Sequence, residues 1–553
     1  MSEAWDPILL AVWRHRFAAV AEEMLQALWR AAFSTNIKER RDHSAAVFTG
    51  RGEMVAHAAA IPVHLGSQPL SVQAALARFG ASWAPGDAVL LNDPYEGGTH
   101  LPDLTLVTPV FEPGAAPGSE PAWIVATRAH HADVGGMSPG SLPLARELVQ
   151  EGLCIPPVLL VRRGEVQDDL VRLIAANSRT PQERQGDLRA QLAANALGVE
   201  RLLALTRARG EQARRYAAHL QDYAERMMRR FLAALPAGSY RFLDALESDG
   251  IGGGELPIQC QVTIAPRGEA TIDFTGTAPA SAGPLNANRA VTVAAVAYAF
   301  RIVCGAAVGS GEDDPPLNAG MLRPLALKIP PGSLLDPPRG HAVAGGNVET
   351  SQRIVDVVLG ALAQACPELI PAASQGTMNN LTIGGVHPGR AGERFAYYET
   401  LGGGAGGGPR GPGAHAIQVH MTNTRNTPIE ALEQELPLRV RRLAVRRGSG
   451  GRGLHPGGDG IVRELEVLVP ATATLLTERR RRAPWGLGGG APGAPGRNYL
   501  VRAGRAPAVP EPLPDKVSLE LAPGDVLGMQ TPGGGGWGSA PGAQDAGPLS
   551  SPR

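Results

Sequence analysis

No stretch of this chain reaches the ~18 consecutive apolar residues that a membrane-spanning helix requires. The longest clean run, AVTVAAVAYAF at 290–300, is too short. The 553 residues are therefore expected to pack most of their apolar side chains within folded units. Single hydrophobic cores stop growing at about 250–300 residues, so two or three packed units are expected. Hydrophobic residues make up 43% of the chain and charged residues 19%, the balance of a folded globular protein. The 52 basic and 52 acidic side chains cancel, so there is no electrostatic footprint for nucleic acid. The N-terminus, MSEAWDPILL, lacks the basic start and small-residue cleavage site of a secretory signal. Cys154, Cys260, Cys304 and Cys366 are widely spaced and form no C-x-x-C pair. They read as reduced, structural thiols, and a cytoplasmic location without a membrane anchor is expected.

The pattern along the chain predicts a mixed α/β and α+β fold built from several units. Asp6-Pro7 reads as a helix start, and Leu10, Val12, Phe17, Val20, Met24 and Leu28 continue at helical spacing to about Phe33. Short strands around a turn at Gly50–Gly52 follow. DAVLLND (87–93), LTLVTPVF (104–111) and AWIVATRAHHADVGG (122–136) are further strand candidates. From Pro181 to about Leu235 the sequence is helical and rich in arginine, which reads as a solvated face. Residues 241–279 return to strand alternation, with helices at about 286–304 and 347–366. Four regions result: 1–240, N-terminal and α/β with a long helical segment; 241–385, mixed; 386–538, rich in glycine and short strands; and 539–553, a disordered tail.

Among 52 Lys and Arg residues only Lys38, Lys328 and Lys516 are lysine, and they follow Ile37, Leu327 and Asp515. A Walker A loop needs Gly-Lys-Ser/Thr. If ATP is used, a P-loop in this chain does not bind it.

Chemistry concentrates in two short stretches. In NDPYEGGTHLPD (92–103), His100 and Asp103 lie three apart after a glycine pair. In RAHHADVGG (128–136), His130 and Asp133 repeat that spacing at the end of another strand. If the two strand ends are neighbours, two imidazoles and two carboxylates converge. That nitrogen and oxygen donor set suits a divalent ion of the Mn, Zn or Fe kind. Alternatively the aspartates cap turns and the histidines are satisfied core residues. Asp93, in the first stretch, and His131, beside His130, are the candidate catalytic side chains, although His131 points to the opposite face if the segment is a strand. His64, in IPVHLG, is a weaker addition. No convincing serine-hydrolase triad is visible. The glycines of LGGGAGGG (401–408) offer two readings: backbone N–H groups for an anion, or tight turns.

Longer motifs carry a resemblance. ERRDHSAAVF, IPVHLGSQP, LNDPYEGGTHLPD, RAHHADVGG, NVETSQRIVD, SQGTMNN, YYETLGGGAGGGP, HMTNTRNTPIEALE, RRGSGGRGLHPGGDGIVRELE, LLTERRRRAPWGLGGG and PGDVLGMQTPGGGGWG together resemble the hydantoinase B/oxoprolinase family over residues 6–538. The resemblance implies a division of labour. An A-type partner subunit, or fused half, binds ATP and phosphorylates the amide oxygen of a small cyclic amide such as 5-oxoproline or a hydantoin. The B-type part then hydrolyses the activated ring, so a hetero-oligomer is implied. The related acetone carboxylases have a Mn site built on His-x-x-Asp and a further His, which carries onto His100, Asp103 and His130. Asp133 remains as a ligand or as a neighbour that fixes the imidazole. Two rival readings are a ketone-carboxylase-type subunit and a non-catalytic subunit that stabilises its partner. The chain departs from the family at GGGPRGPGAHAI (406–417), where a common Asp is missing, and in a longer link at 112–121.

Overall fold

In the computed structural model, residues 5–540 are described apart from 117, 208, 309–314, 317, 391 and 505–508. The expected tail therefore lies outside the described residues from 541 onward.

The first helix, Pro7–Ala31, begins as its sequence requires. Asp6 is the N-cap, its carboxylate accepting from the Ile8 and Leu9 amides, and Pro7 occupies the first turn. Leu10, Trp13, Phe17, Val20, Met24 and Leu28 form its buried stripe. Trp13, not Val12, points inward; Val12 is exposed. The helix lies on a seven-stranded sheet. Its strands are β1 (His43–Thr49), β2 (Met54–His57), β3 (Ala88–Leu91), β4 (Asp103–Val110), β5 (Trp123–His130), β6 (Val158–Arg162) and β7 (Glu165–Val166). The order is β2-β1-β5-β4-β3-β6-β7, antiparallel throughout. Val47 and Val125 pack towards the first helix, whereas Phe48 and Ile124 pack towards the Gln68–Phe79 helix on the other face. This is the period-two alternation of strands with both faces covered. The arginine-rich segment forms two helices, Pro181–Arg207 and Gly210–Ala234. It is not wholly a solvated face, since Arg184 is fully buried against Asp187.

A second sheet joins β8 (Gly238–Leu246), β9 (Leu256–Ala265), β10 (Glu269–Asp273) and β11 (Leu325–Lys328), with only β10 and β11 parallel. Two helices fill the core beside it. Arg289–Val308 extends the apolar run at 290–300 to a 20-residue helix, long and apolar enough by composition to cross a membrane. Here Val291, Val296, Phe300 and Val303 are buried in the largest apolar cluster, so the helix behaves as a core element. In Ser351–Leu362 all twelve residues are buried, Arg353 and Asp356 included. Beyond residue 380, two antiparallel sheets of four and five strands pack face to face through Leu381, Ile383, Tyr397, Leu465, Leu475 and Leu527. All four cysteines are unbridged.

The glycine-rich segment 401–408 follows the tight-turn reading only at its end, where Gly408 and Gly411 exchange backbone hydrogen bonds across a two-residue turn. The amides of Gly403, Gly404, Ala405, Gly407 and Gly408 donate to the carbonyls of Ile417, Pro532, Ala414, Gly535 and Gly411, and Gly406 donates to Ser374. None of these glycines has a positive φ. Gly404, Gly406 and Gly407 are glycine because backbones lie directly against one another: a Cβ on Gly404 would overlap the Gly458 carbonyl, one on Gly406 the Ala372 carbonyl, and, from the facing strand, one on Gly534 the Ala405 carbonyl. Their N–H groups are consumed by this seam and are not free to hold an anion.

Candidate metal centre

β4 starts at Asp103 and β5 ends at His130, and the two residues face each other across the antiparallel ladder. His100, on the turn entering β4, folds back over the same point. His100 Nε2 and His130 Nδ1 lie 3.1 and 3.2 Å from Asp103 Oδ1 and 3.2 Å from each other. His64, on the Pro62–Leu65 turn of helix, brings its Nε2 to 3.5 Å from Asp103 Oδ2, while its Nδ1 faces Ser44 at 3.0 Å. Thr99 donates to the same Oδ2 at 2.6 Å. Every one of these side chains is buried.

The donor set fits a metal ion. Ligand atoms 2.0–2.1 Å from one tetrahedral ion stand about 3.3 Å apart, close to the spacing of these two ring nitrogens and this oxygen. Without a cation, two imidazole nitrogens at 3.2 Å face the same carboxylate oxygen and each other, and one must carry a proton. Burial alone would push the Asp103 carboxyl up. The surrounding imidazoles, His100 foremost and then His64, with hydrogen bonds from His100 and His130, instead hold it well below the usual carboxylate range. Burial lowers His64 and His130, against the pull of Asp103, which favours neutral, ligating imidazoles.

Several neighbours escaped sequence reasoning. Tyr398 stacks on the His130 ring at 4.7 Å between centroids, and the Arg40 guanidinium lies over the tyrosine at 4.6 Å. Asp42 accepts the His130 amide at its carbonyl, while Asn36 donates to the His130 carbonyl. The Asp42 carboxyl is raised by burial, against the nearby His130 and Arg40. Arg128, two residues before His130 on the same strand face, is buried among the hydroxyls of Thr105, Ser67 and Ser71. ERRDHS and YYETLGGG were visible as motifs, but nothing local says that residues more than 350 positions apart meet.

The remaining candidates lie elsewhere. Asp133 does not join the cluster. Its carboxylate takes the amides of Gly135, Gly140 and Arg179 and pairs with the Arg179 guanidinium at 2.9 Å, so it organises the turn at Gly135–Gly136. Asp93 pairs with Arg339 at 2.5 Å and accepts from the Tyr95 amide. His131 points away from the cluster towards Gln191 at 2.9 Å, and burial lowers it to about 3. Residues 136–140, Gly-Met-Ser-Pro-Gly, have the Gly-x-Ser-x-Gly spacing of a nucleophile elbow. They follow a turn, not a strand, and the buried Ser138 hydroxyl has no hydrogen-bond partner, so no base activates it.

A buried His–Asp cluster at a strand end, beside Tyr398 of the C-terminal region, is the candidate site. The chain belongs to the hydantoinase B/oxoprolinase family, whose model matches residues 6–540. It is 40% identical over 560 residues to a 5-oxoprolinase 1 of Arabidopsis thaliana, covering 97% of this chain and 42% of that protein. The chain thus spans about two fifths of the length of that relative. A Pseudomonas sp. protein assigned provisionally as the B-type component of a D-/L-hydantoinase is 29% identical, over 97% of this chain and 90% of its own. The crystal structure of the ATP-dependent caprolactamase from Pseudomonas jessenii superposes with a TM-score of 0.88 at 28% identity, covering 97% of this chain and 92% of that one.

Proposed function

We propose that this chain is the B-type component of an ATP-dependent cyclic-amide hydrolase of the 5-oxoproline or hydantoin kind. An A-type partner would phosphorylate the amide oxygen, and this chain would hydrolyse the activated ring. The observation that carries the reading is the convergence of His64, His100 and His130 on the single buried carboxylate of Asp103, in a chain similar along its whole length to part of the 5-oxoprolinases.

His100, Asp103 and His130 would hold one divalent ion of the Mn, Zn or Fe kind, with His64 steadying the second carboxylate oxygen. When bound, that ion supplies Lewis acidity and a nucleophile available at neutral pH. The chain's own residues do the rest. Asp103 keeps a negative charge among the imidazoles, and neutral His130 is clamped between its backbone partners and the Tyr398 ring. Burial excludes bulk water, which strengthens each electrostatic contact within the site. Asp133 would act on the site only through the turn that follows His130. Asp93 and His131 are each committed to a partner outside the cluster and carry no step.

The test is reconstitution. The chain alone should show no ATP-dependent ring opening, and adding an A-type subunit should produce it with 5-oxoproline or a hydantoin. Full activity without a partner would refute the division of labour. A requirement for bicarbonate and a ketone would make it a carboxylase subunit. Unchanged activity of His100→Ala with a metal-free site would make it a stabilising subunit.

A further inference from the structure

The four arginines of ERRRR, 479–482, are not equivalent. Arg479 adopts a positive φ of 58°, and the turn aims the next three amides at one carboxylate. Glu247 accepts from the backbone N–H of Arg480, Arg481 and Arg482 at 2.9, 2.7 and 2.5 Å. Arg479 pairs with Asp244 and Asp356, and Arg482 pairs with Glu255. Arg480 and Arg481 have no carboxylate within 4.0 Å among the described residues, and neither has Arg497 opposite them. Arg480 is held by neutral acceptors only: Asn498 Oδ1 at 3.0 and 2.9 Å, Asn379 Oδ1 at 2.9 Å and the Glu478 carbonyl at 2.7 Å.

These three guanidiniums line one cavity of about 1030 Å³ beside the five-stranded sheet. Four carboxylates also reach it, so net charge alone does not select a ligand. All four are already engaged. Glu247 holds the backbone turn, Glu255 holds Arg482, Asp515 takes Lys516 at 2.8 Å and Ser248 at 2.7 Å, and Glu464 takes the Tyr499 hydroxyl at 2.7 Å. Glu247 and Glu464, like Arg480, meet only neutral partners, and Arg481 donates to the Glu247 carbonyl. Three guanidiniums thus stand against two carboxylates without a counter-charge, and the balance left is cationic by one, with the spare N–H donors on the exposed Arg481 and Arg497. Beside them the wall is apolar, with Val501, Pro512 and Leu513.

We infer that this cavity binds a small organic anion. Its carboxylate or phosphate end would sit between Arg480, Arg481 and Arg497, and its body against Val501, Pro512 and Leu513. Guanidinium forks match both oxyanions with paired donors. The site is separate from the His–Asp cluster, yet a polar seam joins them. Arg480 donates to Asn379, the next residue Asn380 accepts from the Tyr398 hydroxyl at 3.1 Å, and Tyr398 stacks on His130. The inference does not depend on the hydrolase reading.

Calorimetric titration of the full chain with pyrophosphate and, separately, with glutarate tests it. At least one probe should bind saturably at a single site, and the one that binds identifies the oxyanion. Arg481 and Arg497 are exposed, so the double variant R481Q/R497Q should fold normally and weaken binding at least tenfold. A control pair, R439Q/R441Q, removes arginines that pair with Glu466 away from the cavity and should leave binding unchanged. Absence of saturable binding for both probes overturns the inference. So does an equal loss in the control pair.

Discussion

Asp103 and Asp133 show how two identical short motifs separate once folded. Both follow a histidine by three positions, and that spacing cannot tell them apart. The ladder does: Asp103 opens a strand facing His130, whereas Asp133 lies past the end of one, in a glycine turn that supplies its own donors. Opposite outcomes are expected for the same substitution. Asp103→Asn keeps the shape but removes the negative charge shared by three imidazoles. Metal per chain, read by elemental analysis, should fall sharply and turnover with a partner should collapse, while the thermal midpoint moves little. Equal metal and equal activity would remove Asp103 from the ligand set. Asp133→Asn leaves one acceptor oxygen where two now serve three amides and the Arg179 guanidinium. Each charge-assisted bond weakened costs about 1.5–3 kcal/mol, so this variant should unfold at lower denaturant with near wild-type metal content. A stable Asp133→Asn protein that has lost its metal would reverse the assignment.

At the scale of elements, much was legible. The capped first helix, β1 and β2 around their glycine turn, and β3 to β5 fall where capping and alternation placed them, because those signals are local. The glycine seam was not legible, because absence of a Cβ looks the same whether a turn or a neighbouring backbone demands it. Gly534→Ala tests the seam: with no room beside the Ala405 carbonyl, the variant should lose several kcal/mol or fail to accumulate as soluble protein. Normal yield and midpoint would contradict backbone-on-backbone packing. A second element-level device is the buried Glu151, on the turn after the 3-10 segment Leu148–Gln150. Its Oε1 accepts from the Val343 and Ala344 amides at 2.9 and 2.8 Å, and its Oε2 has no partner. Burial, against these two bonds, raises its carboxyl from 4.5 to about 8. Between those values the folded chain keeps a proton that the unfolded chain has released. Its stabilising contribution is therefore complete below 4.5 and is lost as pH rises towards 8, by at most ~1.4 kcal/mol per pH unit. Glu151→Gln should flatten that part of the decline in denaturation midpoints between pH 5 and 8. Identical pH slopes for the two proteins would show that Glu151 is not the group responsible.

Across the whole molecule, the sequence placed the candidate ligands within 1–240 but could not show what holds them. Each ligand-bearing segment is pinned from later in the chain. Asn288 donates to the carbonyls of Gly98 and Thr99 at 3.1 and 2.6 Å, fixing the turn that carries His100. The Val63 amide donates to the Met421 carbonyl, fixing the short helix that carries His64. Tyr398 covers the face of His130, and Arg40 reaches the Tyr398 carbonyl at 2.6 Å and the Thr400 hydroxyl at 3.2 Å. The largest apolar cluster likewise runs from Ile61 to Leu487. Supports of this kind, outside the ligands themselves, typically carry 10–100-fold of a site's metal affinity. A fragment of residues 1–240 contains His64, His100, Asp103 and His130 but none of these later clamps. It should therefore bind Mn or Zn at least tenfold more weakly than the full chain, even where circular dichroism shows its helices formed. Competition against a chelator of known affinity measures the difference. A folded fragment with undiminished affinity would place the whole metal centre within the first sheet and leave the clamps from 288, 398 and 421 without a part in holding it.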